Sequence, residues 1–263
     1  MIMTVKLEHS FYALEDHFSS SISIKKHVFA EGFIAYLGGI DEAKFNVLLQ
    51  RLPHPQPEQL ISDVKEFFKE NDIPHWVYVV PKDLDTPALQ NALKHQGLVF
   101  DEASTVMYCA LSNPVQSAVE PEVPLIIQSA DVNKTGWLQI MKDAFGGTDA
   151  TNAQYAQALD RAKAKGTDMQ HFLGTQEGEP ICAITLTFLD DGVRIDNVST
   201  TPTHQRLGYS TQMVQFSMNL AHALGYKHCV LEASADGLNV YQRLGFSEIF
   251  IYHVYTTIPA LMS

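Results

Sequence analysis

The chain has 263 residues, 46% of them hydrophobic, and a formal net charge of −12 at pH 7. That length allows one large domain or two small ones, and the apolar fraction is ordinary for a globular protein. The acidic balance argues against nucleic acid, which needs a basic footprint, and suits either plain solubility or the steering of a cationic amine. No apolar run reaches the roughly 18 residues of a membrane span, and Met1 to Glu15 lacks the basic-then-apolar order of a signal peptide. Cys109, Cys182 and Cys229 are few, odd in number and set in apolar runs. They read as reduced core thiols of a cytoplasmic protein. No Cys or His pair has zinc-ligand spacing, so no metal is expected.

Taken in order, Leu7, Phe11, Leu14 and Phe18 fall at helical spacing within Met1 to Ser23. His27 to Leu37 reads as extended, and Phe45 to Leu49 as a strand. Pro53-His54-Pro55-Gln56-Pro57 is a loop whose last proline suits the first turn of a helix. That helix, Glu58 to Glu70, puts Leu60, Ile61, Val64, Phe67 and Phe68 on one face. Ile73 to Val80 returns as a strand. Thr86-Pro87 opens a short helix, Ala88 to His95, which Gly97 ends. Val106 to Leu111 is a further strand.

Ser112 to Pro124 is proline-bearing and poor in apolar residues, as a linker is. Leu125 to Gln128 reads as a strand. Asp131 can cap a helix whose inward residues are Trp137, Ile140, Met141, Ala144 and Phe145, and Gly146-Gly147 breaks it. Asn152 to Lys165 is a second helix. Gln170 to Gly174 and Ile181 to Leu189 form a hairpin across Glu177 to Pro180, and Asp190-Asp191-Gly192 turns into the strand Val193 to Ser199.

A stretch that carries chemistry follows, Gln205-Arg206-Leu207-Gly208-Tyr209-Ser210-Thr211. It lies between that strand and a helix through Thr211, Val214, Met218, Ala221 and Leu224. A tight turn there leaves backbone N–H groups pointing out of the first helical turn. With the positive end of the helix dipole they suit a phosphate or pyrophosphate. Gly208 lets the backbone approach a ligand closely, and Ser210 and Thr211 bring hydroxyls. Gly225 ends the helix, Cys229 to Ala233 reads as a buried strand, Ser234 to Leu244 as a short helix, and Phe250 to Tyr255 as a last strand.

Gln205-x-x-Gly208-x-Ser210 and Tyr241-Gln242-Arg243-Leu244-Gly245-Phe246, in strand–helix–strand–helix–strand order, resemble the GNAT family of acetyl-CoA-dependent N-acetyltransferases. The resemblance covers roughly the last half of the chain. Ser210 stands where the family has Gly or Ala. The order Phe45–Leu49, Glu58–Glu70, His75–Val80, Ala88–Leu98, Val106–Leu111 repeats the same pattern faintly. The fold expected is therefore a mixed α/β sheet built from two GNAT-like units in tandem. Residues 1–112 would be a degenerate unit, 113–124 a linker and 125–263 the acetyltransferase domain. Pro55 and Pro57 have no N–H to offer a phosphate, and Leu93 stands where the second half has Tyr241. The first half is expected not to bind acetyl-CoA. The repeat allows the first half to take the place of a second subunit, so monomer and homodimer are both open.

The resemblance implies acetyl-CoA as co-substrate and an amine-bearing acceptor, while the acidic charge and the lack of a long apolar run leave neither nucleic acid nor membrane as an expected partner. It places the pantetheine along Val198, Ser199 and Thr200, and the pyrophosphate over the N–H groups of Arg206, Leu207, Gly208, Tyr209, Ser210 and Thr211. Gln205, Ser234 and Tyr241 complete the cofactor-binding set. It also puts substrate choice on the helix pair 131–165. Tyr241 is the expected acid for the leaving thiolate, since a phenol of pKa near 10 stays protonated. Alternation puts Arg194, Asp196, Val198 and Thr200 on one face. Arg194 takes the place of the catalytic Glu of some family members, which leaves Asp196, a water relay or, less directly, Glu232 as the base. The alternative to an enzyme is an acetyl-CoA or CoA sensor without turnover. Calorimetric titration should give one acetyl-CoA per chain, lost when Gly208 is replaced by a bulky residue; two per chain would contradict the degenerate first half.

Overall fold

A computed structural model of the chain describes residues 2–115 and 123–257. Residues 116–122, the middle of the expected linker, lie outside the described residues. The contacts divide the chain into two compact units that do not follow chain order. One joins Met1–Ser21 to Val106–Ile249, the other Ile22–Thr105 to Phe250–Ser263.

In the second of these, β1 (Lys25–Ala30) and β2 (Phe33–Leu37) make an antiparallel hairpin, so His27 to Leu37 is two strands rather than one. β3 (Asn46–Gln50) pairs antiparallel with β2 and parallel with β4 (Val77–Pro81). A parallel pair needs a crossover, supplied by α2 (Pro57–Glu70). Leu60, Ile61, Val64 and Phe68 are its buried face, and Trp76 stacks on Phe68 with ring centroids 4.7 Å apart. α3 (Pro87–His95) is capped by Thr86, whose side chain accepts from the Leu89 N–H, and Gly97 follows at φ 83°. The closing strand is the end of β11 (Ser247–Thr256), antiparallel to β4.

The first unit begins with α1 (Ile2–Ile22), in which Phe11 and Leu14 are buried. β5 (Val99–Ala110) starts well before the expected Val106. The strand order runs β5, β10 (His228–Ala233), β9 (Gly192–Thr200), β8 (Glu179–Leu189), β7 (Met169–Gln176), β6 (Ile126–Ser129). From β6 to β9 each neighbour is antiparallel to the next, whereas β9 and β10 run parallel. α6 (Tyr209–Ala223) is the crossover that this parallel pair needs. Val214, Met218 and Ala221 of α6 are buried, whereas Leu224 is 56% exposed because the helix has ended at Ala223. Val115 and Leu125, on either side of residues 116–122, are both tied to this helix. Val115 N–H donates to Asn219, and Leu125 N–H to Gln212.

α4 (Lys134–Phe145) buries Trp137, Ile140 and Met141 as expected, but Asn133 rather than Asp131 caps it, accepting from the Gly136 N–H. Asp131 sits in the single turn before it. Phe145 is 47% exposed: it falls in the last turn, where Gly146 takes a left-handed conformation and ends the helix. α5 (Asp149–Ala164) opens on a reciprocal cap, with the Thr148 hydroxyl accepting from the Thr151 N–H and the Thr151 hydroxyl from the Thr148 N–H. α7 (Leu238–Arg243) is shorter than expected, the residues from Ser234 forming a turn. Among the described residues no helix is long and apolar enough to cross a membrane. Thr148→Ala should lower stability by about 1 kcal/mol through loss of the α5 cap, read from the denaturant midpoint; an unchanged midpoint would show that this cap does not hold α5.

Candidate active site

The β9–β10 ladder has three rungs, His228↔Gly192, Cys229↔Val193 and Val230↔Arg194. Yet β9 continues to Thr200 and β10 to Ala233. Past Arg194 and Val230 the strands fork. The cause is local. β9 pairs Asp196 with Thr185 and then Ser199 with Ala183, so it carries one residue more than β8 over this stretch. Asn197, within this bulge, takes a left-handed φ of 58°. The bulge also breaks the expected alternation. Arg194, Asp196 and Ser199 share one face of β9, and Ile195 and Thr200 share the other. The expectation that Val198 and Thr200 lie on the face of Asp196 is therefore corrected.

At the far end of β9, Gly208 has φ 87° and supplies no side-chain cap to α6. The first N–H groups of α6 have no intrahelical acceptor, so a ligand anion or water must meet them. Arg206 is also left-handed, with φ 64°, and Gln205, Arg206 and Leu207 are exposed. Gln205 reaches back to the Thr200 carbonyl at 3.4 Å. Tyr209 offers only its backbone outward, since its ring is buried and its hydroxyl accepts from Gln176. The Ser210 hydroxyl lies 2.8 Å from that of Thr200, which in turn lies 3.3 Å from Cys182 Sγ. Here the serine in place of Gly or Ala has a partner inside the fold. Thr211 and Val198 are half-buried and Ser199 is buried. An open strand edge leading to an uncapped helix start fits an extended ligand with an anionic end.

Tyr241 is buried against Phe246, and among the described residues its hydroxyl has no hydrogen-bond partner. Burial, and then the charge of Asp196, push its phenol up to about 12. Ser234 is exposed and its hydroxyl accepts from Gly237 N–H in the turn before α7.

Asp196 accepts from Arg194 Nε on both oxygens at 3.0 Å, and Arg194 Nη2 donates to Glu232 at 2.8 Å. Burial raises the Asp196 carboxyl to about 6 against the pull of Arg194, with Glu232 adding to the rise. α1 covers this cluster. Phe11 and Phe18 flank the Arg194 guanidinium at 5.4 and 5.3 Å, and buried Glu15 adds a third carboxylate to its field. Sequence reasoning missed α1 here, although a glutamate on the stripe of Phe11, Leu14 and Phe18 is the signal that would have found it.

A second group was also missed. Asn197 Nδ2 donates to Tyr155 at 2.7 Å and to Thr185 at 3.0 Å, and Thr185 lies 2.9 Å from His171 Nδ1. This chain borders Asp196 on the side of α5. In the second unit the corresponding parallel pair, β3 and β4, also has three rungs, and the Tyr78 hydroxyl donates to Gln50 at 2.5 Å across it, with both residues buried.

Residues 135–246 match the model of the acetyltransferase (GNAT) family. A search of the curated proteins gives no significant match. Among solved structures, a GCN5-related N-acetyltransferase from Kribbella flavida aligns over 93% of this chain and 95% of its own, at TM-score 0.65 and 17% identity. A functionally unknown conserved protein from Staphylococcus epidermidis aligns over 89% and 94%, at 0.67 and 12%. A tandem GNAT protein from the clavulanic acid biosynthesis pathway aligns over 87% and 79%, at 0.59 and 14%. The chain carries a GNAT-family domain, and a GNAT fold that extends over most of its length.

Burial lowers His171 to about 4. The folded state therefore holds it neutral while the unfolded chain protonates near 6.5, so its contribution to stability is present above that pH and is lost as pH falls toward 4. The ring-carbon NMR shifts of His171 should titrate near 4; a midpoint near 6.5 would show an open, solvated ring.

Proposed function

We propose that the fork between β9 and β10 holds acetyl-CoA, and that the chain transfers its acetyl group to a primary amine. The observation that carries this is the end of the β9–β10 ladder at Arg194 and Val230, with the uncapped start of α6 at the end of the open edge. The edge at Val198, Ser199 and Thr200 would bind the pantetheine as an added strand binds. The N–H groups from Arg206 to Thr211 would hold the pyrophosphate, with Arg206 adding charge, and Gln205 and Ser234 would line the ends. Bound acetyl-CoA supplies an acetyl group activated as a thioester.

Tyr241 serves as the acid. Its raised pKa keeps it protonated at neutral pH, and its hydroxyl has no competing partner among the described residues. Asp196 serves as the base, directly or through a water. Raised to about 6, it is ionised at neutral pH yet closer to the ammonium it must relieve than an ordinary carboxylate. The second unit is read as binding no acetyl-CoA, because its helix α2 begins on Pro57 and Leu93 stands where the first unit has Tyr241. The tandem organisation, 1–112 and 125–263 about a linker, is the division by sequence repeat. The buried free thiols of Cys109, Cys182 and Cys229 suit a reducing, cytoplasmic setting.

One observation favours a second reading, a sensor that binds acetyl-CoA without turnover: Arg194 engages both oxygens of Asp196. Thiol release with a panel of amines separates the two. Tyr241→Phe should lower kcat by about 100-fold. In the wild type kcat/KM should rise as pH passes through about 6, because the ionised carboxylate is the active form. Asp196→Asn should abolish that limb. Full activity in both variants would contradict the assignment, and binding with no turnover of any amine would establish the sensor.

A further inference from the structure

Arg194 occupies the last rung of the β9–β10 ladder, opposite Val230. Two residues further along each strand, on the same face, stand Asp196 and Glu232. Like charges on the two prongs of a fork repel, and one guanidinium, its side chain 7% exposed, spans them. Its Nε meets Asp196 and its Nη2 meets Glu232. Its Nη1 is buried without an acceptor among the described residues. A buried ion cluster with an orphaned donor is a poor way to gain stability, and an apolar filling would serve at least as well. The cluster is better explained by the carboxylates that it holds. α1 keeps the guanidinium in place, since Phe11, Glu15 and Phe18 follow one another along one helix face and meet Arg194 from the side away from α6.

We propose that Arg194 is a positioning residue of the fork: clamped by α1, it bridges Asp196 and Glu232 and presents the Asp196 carboxylate at the mouth of the cleft. This rests on the proposed acetyl transfer. α1 thereby acts on the chemistry through Arg194 without touching substrate. The charged and titratable groups facing Asp196 are Arg194 on its own strand, Glu232 on β10, Glu15 on α1 by way of Arg194, Tyr155 on α5 and Tyr241 on α7.

The test compares wild type, Arg194→Lys and Glu15→Gln. It measures acetyl-CoA affinity by calorimetry, kcat and KM with an accepted amine, the pH profile, and the carboxyl-carbon NMR titration of Asp196. Lysine keeps the charge but cannot span two carboxylates with a planar fork. Arg194→Lys should lower kcat about tenfold or more, with acetyl-CoA affinity held. Glu15→Gln removes a competing negative charge, so the Asp196 midpoint should fall by about one unit, and the acid limb of kcat/KM should move with it. Should Arg194→Lys fail to fold, the near-isosteric Glu15→Gln decides alone. An active enzyme whose midpoint and kcat are unchanged in both variants overturns this proposal alone. A wild type that binds acetyl-CoA but turns over no amine overturns the transfer reading, and the catalytic role of Arg194 with it.

Discussion

Two parallel strands that part after three rungs are the constraint on which this molecule's site depends. A parallel ladder buried on both faces normally continues as far as its strands do, because unpaired backbone groups are costly there. Here the extra residue at Asn197 turns β9 away from β10 while β8 stays in register. One positive φ thus opens a strand edge, reverses which residues face which layer, and directs β9 toward the Gly208 turn. The layers follow from it. Ile195 and Thr200 look toward α6, while Arg194, Asp196 and Ser199 look toward the other face, where α1 meets Arg194 and Met141 of α4 lies near Ser199.

The fork exposes a charge problem that the fold answers with few parts. Asp196, Glu232 and Glu15 gather around a single guanidinium, leaving the cluster with more negative than positive charge in a buried setting. Burial, with the charge of Glu232 adding to it, keeps the Asp196 carboxyl above its ordinary range despite its ion pair. Tyr241 and Tyr155 both feel the charge of Asp196. The second unit has the same strand–helix–strand order without the problem. Between its parallel strands Tyr78 and Gln50 share a neutral hydrogen bond. The same supersecondary pattern therefore carries a charged cluster in one unit and a neutral hydrogen bond in the other.

Much of this was legible from residues. The apolar face of α2, the Thr86 cap of α3, the Gly208 turn and the strand–helix–strand order around it are local, and local rules found them. What stayed hidden was tertiary. Alternation along β9 failed at Asn197, because a bulge depends on the partner strand and not on the residue itself. Asp131 looked like the cap of α4 because Asp and Asn are equally good caps, and only the path of the preceding turn selects Asn133. The exchange of closing strands between the halves has no local signature, since Val106 to Leu111 and Phe250 to Tyr255 are both good strands wherever they pair. Asp196 and Arg194 stand two residues apart on one strand, so their pairing is local. Their link to Glu15 crosses most of the chain and had only the misplaced glutamate on the apolar stripe of α1 to announce it.

If the fork is the cofactor site, the open edge of β9 and the start of α6 form one binding surface. Amide hydrogen exchange with and without acetyl-CoA, read by mass spectrometry at peptide resolution, tests it directly. Exchange should slow in peptides covering Asp196–Thr200 and Gly208–Thr211, and stay unchanged in those covering β3 and the start of α2. Protection confined to β3 and α2, or binding that leaves β9 and α6 unprotected, would contradict it.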